Sequence, residues 1–282
     1  MNLIKALQEK KNFSQYEKEL ADYILEHSEE VIRMSIRDLS KSSYTSTSTI
    51  IRLCKKLNLS GFKEFKINFS RELESEYKQI SKVDANVPFN SRDSMIVVSK
   101  KIAELSKDTI DLTQQLFNDQ LLNKAVKMIM KADQIFAVGV SNSFVKLNDF
   151  HLKMLRIGKY VHLVHSQPDQ VFLATNATTR DVAILLSYSG TTAEIENIAR
   201  IIKRKKIPMI FISSNLNCYV AKIADVIIPL PNQEDAKANI SAFSSQTAIF
   251  YALNVLYACI FKMNYEENIT SRELRKKSYL HF

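Results

Sequence analysis

The chain has few cysteines, and their positions exclude two kinds of site. Its 282 residues include three cysteines, Cys54, Cys218 and Cys259, which lie far apart in the sequence. An odd number without a Cys-x-x-Cys spacing favours neither a disulfide framework nor a zinc site, and it is typical of the reducing cytoplasm. The five histidines form no His-Glu-x-x-His pattern. We therefore predict no metal site and no cofactor.

The sequence also lacks a long apolar run and an N-terminal targeting segment. Its longest apolar stretch, residues 247–261, contains Asn254 and is shorter than the roughly 20 residues that a membrane helix needs. No charged start followed by an apolar segment and a small-residue cleavage site opens the chain, so no signal peptide is expected. The composition, 46% hydrophobic and 24% charged, predicts a globular cytoplasmic protein that makes no membrane contact.

Glycine and proline are scarce, and their distribution divides the chain. Residues 1–77 hold one glycine and no proline and show several helical periods. Residues 82–93 carry the first proline among Asn, Asp and Ser, which is typical of a linker. We predict an all-α domain at 1–77, a linker and connecting helix at 78–117, and a second domain at 118–270.

Short apolar runs rich in β-branched residues recur in the second half of the chain. The five runs are residues 134–140, 160–164, 181–187, 208–213 and 226–230. They are apolar throughout rather than alternating, which is typical of parallel strands buried on both faces. The segments between them are long enough for crossover helices. The sequence therefore predicts an α/β domain, a three-layer sandwich with a five-stranded parallel sheet, closed by a long helix over 241–262.

Positive charge is concentrated between residues 33 and 71. This stretch has nine Lys and Arg residues against two acidic ones, a net charge of +7, while the whole chain has +9. Such a concentration is typical of a surface that binds nucleic acid. On composition alone, cations that merely solvate helix faces would explain it as well.

Residues 35–65 have the spacing of two helices joined by a tight turn. The second helix begins with Ser46 as its N-cap, and its apolar side chains fall on one face. The other face carries hydroxyls and cations, which can reach base edges and phosphates in a major groove. The residues predicted to bind DNA are Ser46, Thr47, Ser48, Arg52, Lys55 and Lys56. An ordinary helical hairpin remains the alternative.

Four motifs in one register along residues 13–73 sharpen this hypothesis. They are E-x-x-x-A-x-Y-I-L, S-I-x-x-L, S-x-x-T-I-x-R-x-C-x-K-L and G-F-x-E-F-K. With them the segment resembles the helix-turn-helix domain of the RpiR family of bacterial transcriptional regulators. The chain departs from that family at Tyr44, where a glycine is usual, and at Thr45, where an apolar residue is usual. A tyrosine at positive φ would be strained.

The segment SYSGTT, residues 187–192, joins a predicted strand to a predicted helix. Free amides and the dipole at the helix start, together with the hydroxyls, predict a cradle for an anion such as phosphate. Thr191 with Glu194 is expected to form a capping box. A serine nucleophile is not favoured, because the G-x-S-x-G elbow is absent and no histidine lies nearby. Simple helix capping is the remaining alternative.

Further motifs extend this interpretation over residues 130–262. They are G-x-S-x-S at 139–143, L-R-I-G at 155–158, S-x-S-G-x-T-x-E at 187–194 and A-K-I-A-D at 221–225. With them the second half resembles a sugar isomerase (SIS) domain. The resemblance implies that the phosphate of a phosphosugar is held by Ser141, Ser143, Ser187, Ser189 and Thr192. The segment 231–246 departs from the family because it has no arginine, and Gln246 stands where one is usual, so contacts to an anionic ligand would differ.

Together the two resemblances imply a DNA-binding regulator of sugar metabolism whose operator binding is modulated by a phosphosugar. We expect a homodimer or homotetramer on a roughly palindromic operator, and no catalytic residues. Two alternatives stay open. One is an enzyme of the phosphosugar isomerase type, for which Glu234, Asp235, Glu194 and His165 are the candidate bases. The other is a regulator whose SIS domain serves mainly for dimerisation.

Overall fold

A computed structural model describes most of the chain. The residues outside its description are 1–2, 81–82, 167, 236 and 272–282. The chain forms two compact units, residues 1–82 and 83–282. The basic segment 272–277, expected from its charge to be a solvated tail, lies outside the described residues. The three segment bounds given above, 1–77, 78–117 and 118–270, stay predictions.

The first unit is all-α. Its described residues form the helices α1 (Leu3–Glu9), α2 (Gln15–Glu26), α3 (Ser28–Val31), α4 (Ile36–Ser42), α5 (Thr47–Lys56) and α6 (Phe62–Ile80). Their apolar faces meet in one core, in which Leu20, Leu53 and Phe65 are at most 1% exposed. The carboxylate of Glu72 on α6 accepts hydrogen bonds from the first amides of α1, so the first and last helices are joined. The predicted helical domain is confirmed.

The second unit alternates helices and strands. Its elements are α7 (Met95–Gln115), α8 (Asp119–Lys131), β1 (Ile135–Gly139), α9 (Asn142–Leu155), β2 (Val161–His162), α10 (Gln170–Asn176), β3 (Val182–Leu186), α11 (Ala193–Arg204), β4 (Met209–Ser213), α12 (Tyr219–Ile223), β5 (Val226–Pro229) and α13 (Phe243–Met263). The strands form one parallel sheet in the order β2-β1-β3-β4-β5. This confirms the predicted five-stranded parallel sheet.

Side chains of the sheet enter two cores, one on each face. On β3, Val182, Ile184 and Leu186 point towards α8, α9 and α13, whereas Ala183 and Leu185 point towards α10, α11 and α12. This alternation follows from the two-residue period of a strand. Because both faces are covered, the five runs are apolar at nearly every position, and the three-layer sandwich is confirmed.

The closing helix α13 is a core helix. By length and composition it is the one described helix that could cross a membrane. Its inward side chains, among them Ala248, Ile249 and Leu256, are fully buried in the core beside the sheet. It also packs along α7, α8 and α9. Its apolar character is therefore used for packing within the second unit.

The edge strand β2 is shorter than the sequence predicts. The apolar run covers residues 160–164, but only Val161 and His162 pair with β1. On the other side, the carbonyl of Val161 lies 2.7 Å from Nδ1 of His151. This contact occupies a main-chain carbonyl that would otherwise be free to pair with another strand. A short edge strand also limits unwanted pairing.

Candidate functional site

Two hydroxyl-rich loops meet where the strand order reverses. The chain passes from β1 outwards to β2 and returns to β3 on the other side of β1. The loops after β1 and β3 therefore lie next to each other at the carboxyl ends of the strands. In open α/β sheets this position is the usual ligand site.

The five hydroxyl residues predicted to hold a phosphate line one cleft at this position. The cleft has a volume of about 240 Å³. Those five residues are Ser141, Ser143, Ser187, Ser189 and Thr192. Glu234 and Asn239 of the loop before α13, with Gln246 in the first turn of α13, close its other side. The fold thus brings together three loops that are far apart in sequence.

Ser141 stands at the cleft with a strained backbone. Its φ is 53° and its ψ is −126°, a conformation that costs a residue other than glycine about 1–3 kcal/mol. It is the N-cap of α9, yet its hydroxyl makes no capping hydrogen bond. Helix capping therefore does not account for this serine, and its hydroxyl is free to bind a ligand.

The turn after β3 is held in shape by its own hydroxyls. Oγ of the buried Ser187 accepts a hydrogen bond from the amide of Gly190 at 3.1 Å and lies 2.9 Å from Oγ1 of Thr192. Gly190 has a φ of +70°, and a Cβ there would come within 2.9 Å of Sγ of Cys218. The turn is therefore preorganised and needs glycine at this position.

The expected capping box at the start of α11 is wrong. The N-cap is Thr192 rather than Thr191, and it makes no side-chain capping bond. Instead the Thr192 hydroxyl contacts Ser187, and the Thr191 hydroxyl donates to Oγ of Ser189 at 3.1 Å. Among the described residues no side chain caps the first amides of α11, and its N-cap Thr192 lines the cleft, so the partial positive charge of the helix start lies at the cleft.

Glu234 brings a negative charge to the same cleft. It is 8% exposed, and its Oε1 accepts hydrogen bonds from the amides of Ser244 and Ser245 at the start of α13. Among the described residues that line this cleft, it is the only charged one. An anion here would be held by hydroxyls and amides alone. From the sequence, Glu234 was predicted only as a candidate base, because its contact with the helix start depends on the loop conformation.

Tyr188 joins two of the three loops. Its hydroxyl donates to the carbonyl of Pro231 at 2.8 Å and accepts a hydrogen bond from the amide of Gln233 at 3.1 Å. Burial raises the pKa of the Tyr188 phenol, so it stays a neutral hydrogen-bond donor. Tyr188 is at one of the three variable positions of S-x-S-G-x-T-x-E, so the motif itself gave no indication of this role.

A second and larger cleft adjoins the first. It has a volume of about 780 Å³ and shares Tyr188, Ser189 and Glu234 with the smaller one. Most of the remaining wall comes from the loops after β4 and β5 and is rich in hydroxyl, amide and charged groups: Ser214, Asn215, Asn217, Asn232, Asp235 and Lys237. Hydroxyl groups of a sugar find both donors and acceptors on such a wall.

In the first unit, four of the six predicted DNA-binding residues form an exposed face of α5. Thr47 and Ser48 lie in its first turn, and Arg52 and Lys55 follow on later turns. The apolar face of α5, with Ile50 and the residues at helical spacing from it, lies in the core. In the described part of the first unit, Ser48 and Arg52 make contacts only within α5 and its N-cap, to Ser46 at 2.7 Å and to Thr49 at 3.3 Å. The exposed face is therefore accessible along the whole helix.

The other two predicted residues have structural roles in the first unit. Oγ of Ser46 accepts the amide of Thr49 at 3.1 Å, which confirms it as the N-cap of α5. The ammonium of Lys56 lies 2.6 Å from the buried carboxylate of Glu17 and also donates to the carbonyl of Asn12. The geometry thus favours Thr47, Ser48, Arg52 and Lys55 as DNA contacts over Ser46 and Lys56.

The other candidate bases lie outside the smaller cleft. Glu194 is exposed in the first turn of α11, and Asp235 lines only the larger cleft. The His165 ring packs against Phe144 at 4.8 Å between centroids. In the parts of the chain that the structure describes, no three His, Cys, Asp or Glu side chains come together to hold a metal ion.

Comparison with protein families matches both halves of the chain. Residues 1–76 match the helix-turn-helix domain of the rpiR family, and residues 128–256 match the SIS domain. A similar relative is an uncharacterized HTH-type transcriptional regulator of Caldanaerobacter subterraneus subsp. tengcongensis. It is 30% identical over 256 residues, which cover 91% of this chain and 89% of the relative.

Solved structures show the same fold. The Vibrio vulnificus NanR protein complexed with ManNAc-6P is 21% identical, with a TM-score of 0.60, and the match covers 99% of this chain and 98% of NanR. The sugar isomerase domain of an RpiR transcription factor from Sphaerobacter thermophilus is 15% identical, with a TM-score of 0.55. That match covers 62% of this chain and 97% of the domain.

The contact between Lys56 and Glu17 predicts a stability effect. Burial alone would raise the pKa of the Glu17 carboxyl, but hydrogen bonds from Lys56 and Ser14 lower it overall. Replacing Lys56 by Met leaves a buried carboxylate without its cation. We expect a loss of about 1–3 kcal/mol in the free energy of unfolding at pH 7, measured by urea denaturation of the full chain.

The pH dependence and a neighbouring variant provide the controls. A lowered pKa stabilises the fold above the unfolded-state value of about 4.3, and this stabilisation is lost as the pH falls through the folded-state pKa. The loss in the free energy of unfolding that Lys56→Met causes at pH 7 should therefore become smaller over the same range of pH. The exposed Lys55→Met should cost much less, and equal stability of the two variants would contradict the assignment.

Proposed function

Because the chain belongs to the RpiR family of helix-turn-helix transcriptional regulators, we propose that a phosphorylated sugar in the switch-point cleft sets its affinity for an operator. One observation carries this proposal. Hydroxyls from two loops and the uncapped start of α11 converge on one small cleft. A phosphate dianion is the ligand that such an arrangement of neutral donors and helix dipole favours.

The ligand is a sugar phosphate rather than free phosphate. The small cleft accommodates the phosphate, and the larger cleft beyond Ser189 offers space and polar groups for the sugar. Lys237 on that wall would favour a sugar with a further acceptor or acidic group. The phosphosugar complex of the structural neighbour NanR supports this class of ligand.

We propose that the chain binds its ligand without transforming it. An aldose-ketose isomerase needs a base that removes a proton beside the carbonyl. Glu234 is positioned in the cleft and is the observation in favour of an enzyme, but one of its oxygens is already held by the amides of Ser244 and Ser245. Among the described residues, neither Glu194 nor His165 lines the small cleft to assist it.

Location and assembly follow from the proposed role. A protein that binds an operator acts in the cytoplasm of a bacterium, and its apolar helix α13 is used in the core. We propose a homodimer or homotetramer, because paired DNA-reading helices match a roughly palindromic operator. Each pair of helices would contact half-sites about one turn of DNA apart.

Ligand binding can be transmitted through the segment 83–94, which follows the first unit. Oδ1 of Asn86 accepts the amide of Asp235 at 2.8 Å, and its carbonyl accepts the amide of Ile240 at 2.9 Å. The ring of Phe89 meets the ring of Phe243 edge-on. The same loop supplies Glu234 to the cleft, so a ligand that shifts this loop also changes the contacts of segment 83–94.

The helix α7 has a second connection to this loop. Thr109, which is fully buried, donates to Oε1 of Gln233 at 3.0 Å, and its hydroxyl lies 2.9 Å from that of Ser244. Glu234 lies between these two partners in the sequence. The loop is therefore held from two sides by the residues that lead from the first unit into the second.

The first prediction from this proposal concerns the cleft. Calorimetric titration of hexose 6-phosphates and N-acetylhexosamine 6-phosphates should identify a ligand of the full chain. Ser189→Ala should weaken its binding about 10-fold or more, because a hydrogen bond to a charged group is lost. Thr179→Ala changes an exposed residue just before β3, at the opposite end of the strands, and should leave the affinity unchanged.

Two outcomes would contradict the assignment of the cleft as the sugar-phosphate site. Equal affinity of wild type and Ser189→Ala would place the ligand elsewhere. Wild-type protein that binds no sugar phosphate would favour the alternative in which the SIS domain serves mainly for dimerisation.

The second prediction concerns the exposed face of α5. Arg52→Ala and Lys55→Ala should weaken binding to a duplex that the wild-type chain selects from a random library. If Lys55 neutralises one phosphate, the slope of log K against log salt should fall by about 0.9. Lys18→Ala, an exposed cation on α2, serves as the control. Unchanged affinity and slope in both α5 variants would exclude this face.

The third prediction concerns segment 83–94 as the route by which ligand binding changes the affinity for DNA. Asn86→Ala should bind the sugar phosphate and the selected duplex separately, as wild type does, but the sugar phosphate should change its DNA affinity less. Asn90→Ala is the matched control, because its side chain contacts Asp93 within the same segment. An undiminished effect of the ligand on DNA binding in Asn86→Ala would exclude this route.

A further inference from the structure

Tyr44 occupies the turn between α4 and α5 in a conformation that suits glycine. Its φ is 52°, in the left-handed region that residues with a Cβ rarely adopt. Its side chain is 95% exposed. A large aromatic residue at such a position is strained in its backbone and gains nothing from burial.

The turn itself is firmly held by its neighbours. The amide of Thr45 donates to the carbonyl of Ser40, and the hydroxyl of Ser40 donates back to the carbonyl of Thr45 at 2.5 Å. The buried hydroxyl of Thr45 lies 2.8 Å from that of Ser43. These bonds fix the backbone around Tyr44 without any contribution from its ring. A glycine would therefore form the same turn with less strain.

In the part of the first unit that the structure describes, the Tyr44 side chain has no stabilising partner. Neither its ring nor its hydroxyl takes part in a hydrogen bond or ring contact with another residue that the structure describes. The strain is thus not offset within the folded unit. Strain that persists without such compensation is typical of positions that serve binding.

The surroundings of Tyr44 indicate which partner it meets. It lies two residues before the N-cap of α5, beside the exposed Thr47 and Ser48, and the face with Arg52 and Lys55 follows. Tyrosine hydroxyls donate to phosphate oxygens in protein–DNA interfaces. We propose that Tyr44 is a DNA-contact residue whose hydroxyl binds a backbone phosphate beside the groove that α5 enters. This inference rests on the proposed DNA binding by the first unit.

The test compares stability with DNA affinity in the full-length chain. The probe is a duplex that the wild-type chain selects from a random library, with binding followed by fluorescence anisotropy. Tyr44→Gly should lower the affinity about 10-fold, as expected for a lost hydrogen bond to a charged group. The same variant should raise the midpoint of thermal unfolding by a few degrees, because the backbone strain is relieved.

Two further variants separate the hydroxyl from the ring and from general effects. Tyr44→Phe keeps the ring and the backbone strain but removes the hydroxyl. Its DNA affinity should therefore fall nearly as far as that of Tyr44→Gly, while its midpoint of thermal unfolding stays at the wild-type value. Tyr16→Ala removes another exposed tyrosine of the first unit and should leave the affinity unchanged.

Distinct results would overturn the inference. If Tyr44→Gly and Tyr44→Phe bind the duplex as tightly as wild type, Tyr44 does not contact DNA. A change of oligomeric state with unchanged DNA affinity would assign the side chain to a protein interface instead. A wild-type chain that selects no duplex would contradict the proposed function itself, and that outcome is recognised before any variant is measured.

Discussion

The order of the strands in the sheet is the constraint on which the ligand site depends. β1 and β3 are neighbours although the chain forms β2 between them, so the helices that follow them, α9 and α11, pack on opposite faces of the sheet. Their first turns leave a gap at the carboxyl ends of the strands. Hydroxyls and free amides from the loops after β1 and β3 surround that gap, and the loop before α13 closes it.

In the proposed function the cleft would bind an anion through preorganised neutral groups and not through countercharge. The strained backbone of Ser141 and the positive φ of Gly190 hold these groups in place before a ligand arrives. Glu234 acts in the opposite direction, because its carboxylate already neutralises the start of α13. In the proposed function a ligand in the cleft would meet this internal carboxylate at the same loop. A second arrangement of the loop in the bound state would let the ligand alter another site.

The sequence was sufficient for features set by short-range patterns. The five apolar runs predicted the strands, the helical period predicted α5, and the hydroxyl motifs gave residues that the fold brings into one cleft. Features that depend on contacts between distant segments were not predictable. Side-chain contacts within a turn were not predictable either: Thr191 was expected to cap α11, but the N-cap is Thr192, whose hydroxyl meets Ser187 in the same turn. Lys56 was assigned to DNA because its partner Glu17 is 39 residues away.

The central claim is that the sugar phosphate and the operator are linked through one protein, and this linkage must be reciprocal. Calorimetry can measure the affinity of the sugar phosphate for the full chain, first alone and then with saturating selected duplex. The proposal predicts that the ratio of these two affinities equals the ratio of the DNA affinities without and with the ligand. Identical affinity for the sugar phosphate in the presence and absence of DNA would contradict it.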